Sequence, residues 1–256
     1  MNKKAILLVT TGSSKKEALN LTVEKLVLEI KEKFPAYVFY LAISSAHIRN
    51  KMQMLCEDKI LDIEGAFLQM KADGIQEVYI QSTFLLNGLE NEKLHDVISR
   101  YKEQFQIINA GNPLLAKKED YIKTLQVLLE DTQLHEEEAL ILVGHGTTHV
   151  ANTTYQNLEY TAYTNGYRNI FVATIGNVQS SRMLLRKLTA MGYKRVCLLP
   201  LLFVSGYHAQ KDIDGKENSW KYFLQEAGYE VRTVMKGLGE YQGIRAIFME
   251  HLEAYM

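Results

Sequence analysis

The sequence predicts an α/β protein built from two similar doubly wound parallel-sheet halves, and three observations carry that prediction. Apolar runs of strand length alternate with longer stretches of helical periodicity, the pattern of βαβ units. Segments of the first half recur in the same order in the second. Only 3 prolines and no low-complexity segment interrupt the 256 residues.

The elements follow in order. "KKAILLVTT" reads as a fully buried first strand, and residues 15–33 as one helix with Ala18, Leu21, Val23 and Leu26 as apolar positions. "YVFYLAISS" is the second strand, and a helix from about 60 to 73 stops at Gly74. "IQEVYIQSTFLL" and "FQIINAGNPLL" are the third and fourth strands, and "DYIKTLQVLLEDT" is the next helix. Then the pattern restarts. "AILLVTTGSS" (5–14) matches "ALILVGHGTT" (139–148), with Gly12 falling on Gly146. "VFYLAISS" (38–45) matches "IFVATIGN" (170–177), and "GIQEVYIQSTFLLNG" (74–88) matches "GYKRVCLLPLLFVSG" (192–206). A tandem duplication follows, with its boundary in the acidic stretch "LEDTQLHEEE". The halves are therefore residues 1–130 and 131–256, facing each other across a cleft.

Composition excludes several classes. At 47% hydrophobic, 23% charged and net charge −1, the chain lacks the basic excess that nucleic-acid binding requires. Cys56 and Cys197 stand in unrelated contexts and offer neither a disulfide framework nor a CxxC metal site, which fits a reducing cytoplasm. No stretch approaches the roughly 20 apolar residues that cross a bilayer. A monomer and a small homo-oligomer are equally compatible with the pattern.

Ligands of open α/β sheets bind beyond the carboxyl ends of the strands. The loops to inspect are "TGSS", "SSAHIR", "NGLENE", "GHGTTH", "IGNVQSS" and "SGYHAQKD". His145 ends the fifth strand between two glycines, and His208 lies two residues after Gly206, where the duplicate half carries Glu90 after Gly88. Neutral imidazoles suit one divalent ion such as Co2+, Fe2+, Ni2+ or Zn2+; the alternative for His145 is a hydrogen bond within its own turn. His149 is second to His145 or merely surface, and His47 lies near a first-half strand end. His95, His135 and His251, in charged helical contexts, are expected in solvent. "TTGSS" lacks the GK[ST] ending of a nucleotide loop, so a turn that holds an anionic group is the better reading. No GxSxG elbow supports acyl transfer. Trp220 opens a helix whose aromatic residues cover the core.

The stretches "LLVTTGSS", "AISSAHIRNKM", "IQSTFLLNGLENEK", "VGHGTTH", "LLPLLFVSGYHAQKDIDGKENSWK" and "KGLGEYQGIRAIFMEHL" together resemble the anaerobic sirohydrochlorin cobaltochelatases of the CbiK type, class II tetrapyrrole chelatases, over nearly the whole chain. "GxHAxxD", "SWK" and "GLGExxxIRAxFxxHL" are the most specific of them. The resemblance implies ATP-independent insertion of a divalent metal into sirohydrochlorin during anaerobic cobalamin synthesis. The metal is then a substrate, most naturally Co2+ with Fe2+ or Ni2+ as alternatives, and no organic cofactor is involved. It makes His145 and His208 the metal-binding and catalytic histidines. Two departures stand against the family pattern: Gly176 occupies the place of a metal-ligand glutamate, and Phe84 that of a histidine. Glu90 is the expected substitute ligand, ahead of Tyr207, a water or the macrocycle itself. A polycarboxylate macrocycle needs polar and basic contacts, for which Thr11, Gly12, Ser13, Ser14, Arg49, Lys51 and Lys211 are candidates. Gly88, Gly146, Gly206 and Tyr207 line the strand-end loops, and Phe84, Leu86 and Phe203 are candidates for an apolar wall. The competing readings are a non-catalytic tetrapyrrole or metal carrier, which Gly176 and Phe84 favour, and a chelatase paralogue acting on another porphyrinoid with Fe or Ni.

Overall fold

The computed structural model describes residues 2–54, 59–135, 137–175, 178–207 and 209–256. In chain order the elements are β1 (Lys4–Thr10), α1 (Lys16–Leu21), α2 (Val23–Lys33), β2 (Val38–Ile43), α3 (Ala46–Gln53), α4 (Ile63–Ala72), β3 (Glu77–Ser82), α5 (Leu89–Tyr101), β4 (Ile107–Ala110), α6 (Lys118–Thr132), β5 (Glu138–Gly144), α7 (Thr153–Thr164), β6 (Ile170–Thr174), α8 (Val178–Ala190), β7 (Arg195–Leu201), α9 (Trp220–Glu226), β8 (Glu230–Thr233) and α10 (Gln242–Glu253). They form two parallel sheets of identical topology, β2-β1-β3-β4 and β6-β5-β7-β8. The central strands β1, β3, β5 and β7 are buried along almost their whole length, which is why β1, β5 and β7 read as largely apolar runs rather than alternating ones, while β3 buries the polar Glu77, Gln81 and Ser82 as well.

Three local features depart from the sequence reading. The helix expected over 15–33 is two helices, because the Thr22 hydroxyl donates to the Ala18 carbonyl (2.6 Å) and the Thr22 backbone leaves helical geometry (φ −126°, ψ −82°). The helix α3 was not foreseen; it buries none of its residues, so it carries no apolar stripe for periodicity to detect. The third is a register error in the duplication. Thr10 pairs with Ile43, and Gly144 pairs with Thr174. Likewise the amide of Ser44 donates to Thr10 O, as that of Ile175 does to Gly144 O. The true counterpart of Ile43 is thus Thr174, one residue from the alignment of 38–45 with 170–177. A slip of one residue in a strand exchanges its two faces.

The duplication also extends further than its sequence signal. Leu114 and Leu115 donate their amides to Phe84 O and Leu85 O, and Leu238 and Gly239 donate theirs to Leu202 O and Phe203 O. "NPLL" and "KGLG" are therefore equivalent strand-to-helix connections, each leading into a long helix, α6 and α10. These helices redraw the expected division at 130/131. One compact unit comprises residues 1–116 with 242–256, the other residues 117–241. Each of the two helices belongs to the unit other than the one whose fourth strand precedes it.

In the first unit, Phe67, Met70, Ile80 and Leu94 are wholly buried, and Phe67 stacks on Tyr101 at 5.0 Å between ring centroids. The helix α10 adds Ile244, Ile247, Phe248 and Leu252 at helical spacing. His251 lies on that face and is buried (6% exposed), with Nδ1 3.0 Å from the Asn112 carbonyl, so the expectation of a solvated histidine fails there. His95 and His135 are exposed as expected.

In the second unit, Trp220 is buried in a core with Phe171, Leu188, Leu198 and Leu224, and its indole N–H donates to Thr174 O (3.3 Å). The N-terminal ends of its strands are joined by Arg232, whose guanidinium donates to both carboxylate oxygens of buried Glu138, each at 2.7 Å. On the flank, a cavity of about 720 Å³ lies among α7, β6 and α8. There Glu159 accepts the amide of Val172 (2.9 Å) and pairs with Lys187, covering a donor of the edge strand β6.

Candidate functional site

Because all strands of the second sheet are parallel, the loops after β5, β6 and β7 leave from one edge. Central strand β5 ends at Gly144, which pairs with Thr174 on one side and Leu201 on the other. His145 follows at once and is exposed. Gly146 takes a left-handed conformation (φ +79°), and a Cβ there would lie 3.0 Å from that of Thr174. Only glycine meets both conditions cheaply.

The turn is fastened from below. The Tyr155 side chain, on the first turn of α7, is buried beneath it, and the Gly146 amide approaches the phenol oxygen at 3.4 Å. Burial pushes the Tyr155 hydroxyl above its usual pKa, partly offset by the backbone amides of Gly146 and His145. A Cβ on Gly144 would fall 2.3 Å from the Tyr155 ring, so the glycine is what admits the ring. Beyond it, the Thr147 amide donates to Asn152 Oδ1 (3.1 Å), the His149 amide to Thr147 Oγ1 (3.1 Å), and the Ala151 amide to His149 Nδ1 (3.1 Å). His149 thus serves as the cap of the short 3-10 turn Val150–Asn152, and accepting through Nδ1 places a neutral ring's proton on Nε2.

The remaining predicted residues divide by unit. In the second, Gly206 is half-buried, and Tyr207 is exposed with Lys211 Nζ 5.8 Å from its ring centre. Phe203 is buried. His208 and Gly176 lie outside the described residues, as does Cys56. The stretch after His208 is a single wide π turn, Ala209–Ile213, whose end residues are buried in the core and anchor that loop.

In the first unit, Thr11 is exposed, Gly12 and Ser14 are half-buried, and Ser13 is buried with its Oγ accepting the Lys15 amide (3.1 Å). Two expectations are corrected. Phe84 is 6% exposed and packs in the core with Val9, Ile80 and Leu94, so it forms no open wall. Arg49 donates to Ile43 O (3.0 Å) and pairs with Asp62 (3.4 Å), the cap of α4; its guanidinium ties three elements together rather than awaiting an anion. Gly88 precedes α5 as its N-cap, Leu86 is half-buried, and His47 and Lys51 are exposed on α3. Glu90, on the first turn of α5, pairs with Lys93 (2.8 Å), where a carboxylate also faces the positive end of the helix. Among the described residues, no group of three or more His, Cys, Asp or Glu stands close enough to hold a metal ion. No helix among them is long and apolar enough to cross a membrane.

Tyr155 and Asn152 are the residues that sequence reasoning missed. The signal was present: a glycine closes an otherwise apolar strand where the duplicate strand has Thr10, which implies that another group fills the vacated space.

The model of the cobalt chelatase (CbiK) family matches residues 4–256. The sirohydrochlorin cobaltochelatase of Salmonella typhimurium is 30% identical over 255 residues, covering 98% of this chain and 95% of the relative. The sirohydrochlorin cobaltochelatase CbiKC of Nitratidesulfovibrio vulgaris is 29% identical over 259 residues, covering 99% and 91%. Among solved structures, SirB from Bacillus subtilis with Fe3+ superposes with a TM-score of 0.65 at 15% identity, over 98% of this chain and 94% of its own. DR2241 from Deinococcus radiodurans, a multi-domain protein with structural similarity to chelatases, gives 0.64 at 10% identity, over 98% of this chain and 55% of its own. Those two likenesses establish the fold. With the family model spanning nearly every residue, the chain belongs to the cobalt chelatase (CbiK) family.

Proposed function

We propose that this chain inserts Co2+ into sirohydrochlorin, with His145 and His208 as the residues that hold the metal and take up pyrrole protons. The observation that carries the reading is the presentation of His145. An exposed imidazole follows the central strand directly, on a turn whose backbone is pinned by Tyr155 and Asn152. Insertion requires the metal to shed water while the macrocycle loses two pyrrole protons. A neutral imidazole serves either task near neutral pH, as a ligand of moderate affinity or as a general base. His208 joins the reading from its sequence position, after the strand next to β5 in the sheet. The Tyr207–Lys211 pair is the proposed contact for a carboxylate arm of the macrocycle. A cytoplasmic site of action goes with this reading.

The test is direct. Metal-free sirohydrochlorin is mixed with Co2+ and the purified protein, and insertion is followed by the absorbance change of the macrocycle. A rate equal to that without protein refutes the proposal, and tight macrocycle binding in that case establishes a carrier. Repeating the assay with Fe2+ and Ni2+, and with a porphyrin in place of sirohydrochlorin, ranks the alternative metals and rings.

A further inference from the structure

The two halves carry the same turn built in two different ways, and the difference singles out a residue. In the first unit the Gly12 amide is received by the hydroxyl of Thr10 (3.3 Å), a residue of the strand itself, which in turn accepts from Thr83 Oγ1 (2.9 Å). Gly12 has the same left-handed backbone as Gly146 (φ +76° and +79°). At the next positions the halves diverge: Thr11 stands where the second unit has His145, and Thr10 where it has Gly144. Losing the threonine removes the local acceptor. The space admits the ring of Tyr155 from α7, whose hydroxyl now meets the equivalent glycine amide.

We propose that Tyr155 is the positioning residue for His145: through the Gly146 amide it fixes the peptide plane that follows the histidine, and with it the direction of the imidazole. The His145 carbonyl and the Gly146 N–H share one rigid plane, so an acceptor on the N–H fixes the carbonyl as well. His145 stands between two glycines, Gly144 and Gly146, whose backbones place little steric restraint of their own on the turn. Asn152, holding the next amide at 3.1 Å, prevents the turn from rotating as a whole. Asn152 ends the short 3-10 turn that leads into α7 and Tyr155 lies in the first turn of α7 itself, a rigid element, which suits a group whose direction matters. The packing of Tyr155 against Gly144 needs only the ring. The hydroxyl is the part that acts on the turn.

This inference rests on the proposed role of His145, and the experiment separates the two. In Tyr155→Phe the ring remains and the acceptor is lost. The expected result is a fall in kcat for Co2+ insertion of about tenfold, with KM for sirohydrochlorin within twofold and the melting temperature nearly unchanged. In a His145→Ala background the same substitution should change kcat less than twofold, because there is no imidazole left to direct. Where that background is too slow to assay, Co2+ affinity measured by calorimetry without macrocycle replaces kcat, with the same pattern expected. A natural kcat and Co2+ affinity in Tyr155→Phe overturns the inference, as does an equal loss in both backgrounds. Full activity in His145→Ala instead removes the functional reading on which it stands.

Discussion

At the scale of single residues, the histidine-bearing turn is a set of mutually dependent choices. His145→Ala and His208→Ala should each lower the insertion rate at least about tenfold, the lower end of what a positioned acid–base group contributes. Near-natural rates in both, measured by the absorbance assay, would remove imidazole chemistry from the mechanism. Gly144 is constrained by space: a methyl group would enter the Tyr155 ring. Gly144→Ala should therefore cost about 2 kcal/mol by urea denaturation, the range of overpacked cores, and should slow insertion as well. An unchanged midpoint would mean that α7 yields easily. Arg49 gives the opposite test. Since its guanidinium is spent on Ile43 O and Asp62, Arg49→Ala should lower stability by about 1 kcal/mol while KM for sirohydrochlorin stays within twofold. A tenfold rise in KM without loss of stability would restore the sequence-based expectation that it holds an anion.

At the scale of elements, the second sheet is fastened at the end opposite the site. Burial alone would push the Glu138 carboxyl up, but the hydrogen bonds from the Arg232 guanidinium and the His135 amide outweigh it and hold the group below its usual 4.5. A carboxyl depressed in the native state contributes stability above its unfolded value, and that contribution is lost as pH falls through the lower native value. Unfolding free energy should thus decline from about pH 4.5 downward, and Glu138→Gln should flatten that part of the curve. A curve of unchanged slope in the variant would show that other carboxyls set the acid limit. Removing only one partner leaves the other charge buried, so Arg232→Met should be more harmful than its exposure suggests.

At the scale of the whole molecule, the chain folds by exchange of its last helices: α6 belongs with the strands that follow it, and α10 returns to the first unit. Deleting residues 242–256 removes Ile244, Phe248 and Leu252 from that unit's core. Amide exchange should then lose protection in β1 and β3 while β5 and β7 keep theirs. Protection retained in β1 would mean that the first core stands without its returning helix.

How much was legible follows from which forces are local. Strand identity, the duplication and the place of His145 at a strand end were readable because buried parallel strands are written as apolar runs, and because matching glycines mark matching turns. The break at Thr22, the burial of His251 and Phe84, the engagement of Arg49 and the one-residue register of β6 were not. Each depends on a partner distant in sequence or on a hydrogen bond that composition does not encode. Taken alone, the amino-acid order determined the α/β class, the twofold repeat and the position of His145 at the end of a central strand. Only tertiary structure decided which unit each terminal helix completes and what lies beneath the Gly-His-Gly turn, since both are settled by space filled from elsewhere in the chain.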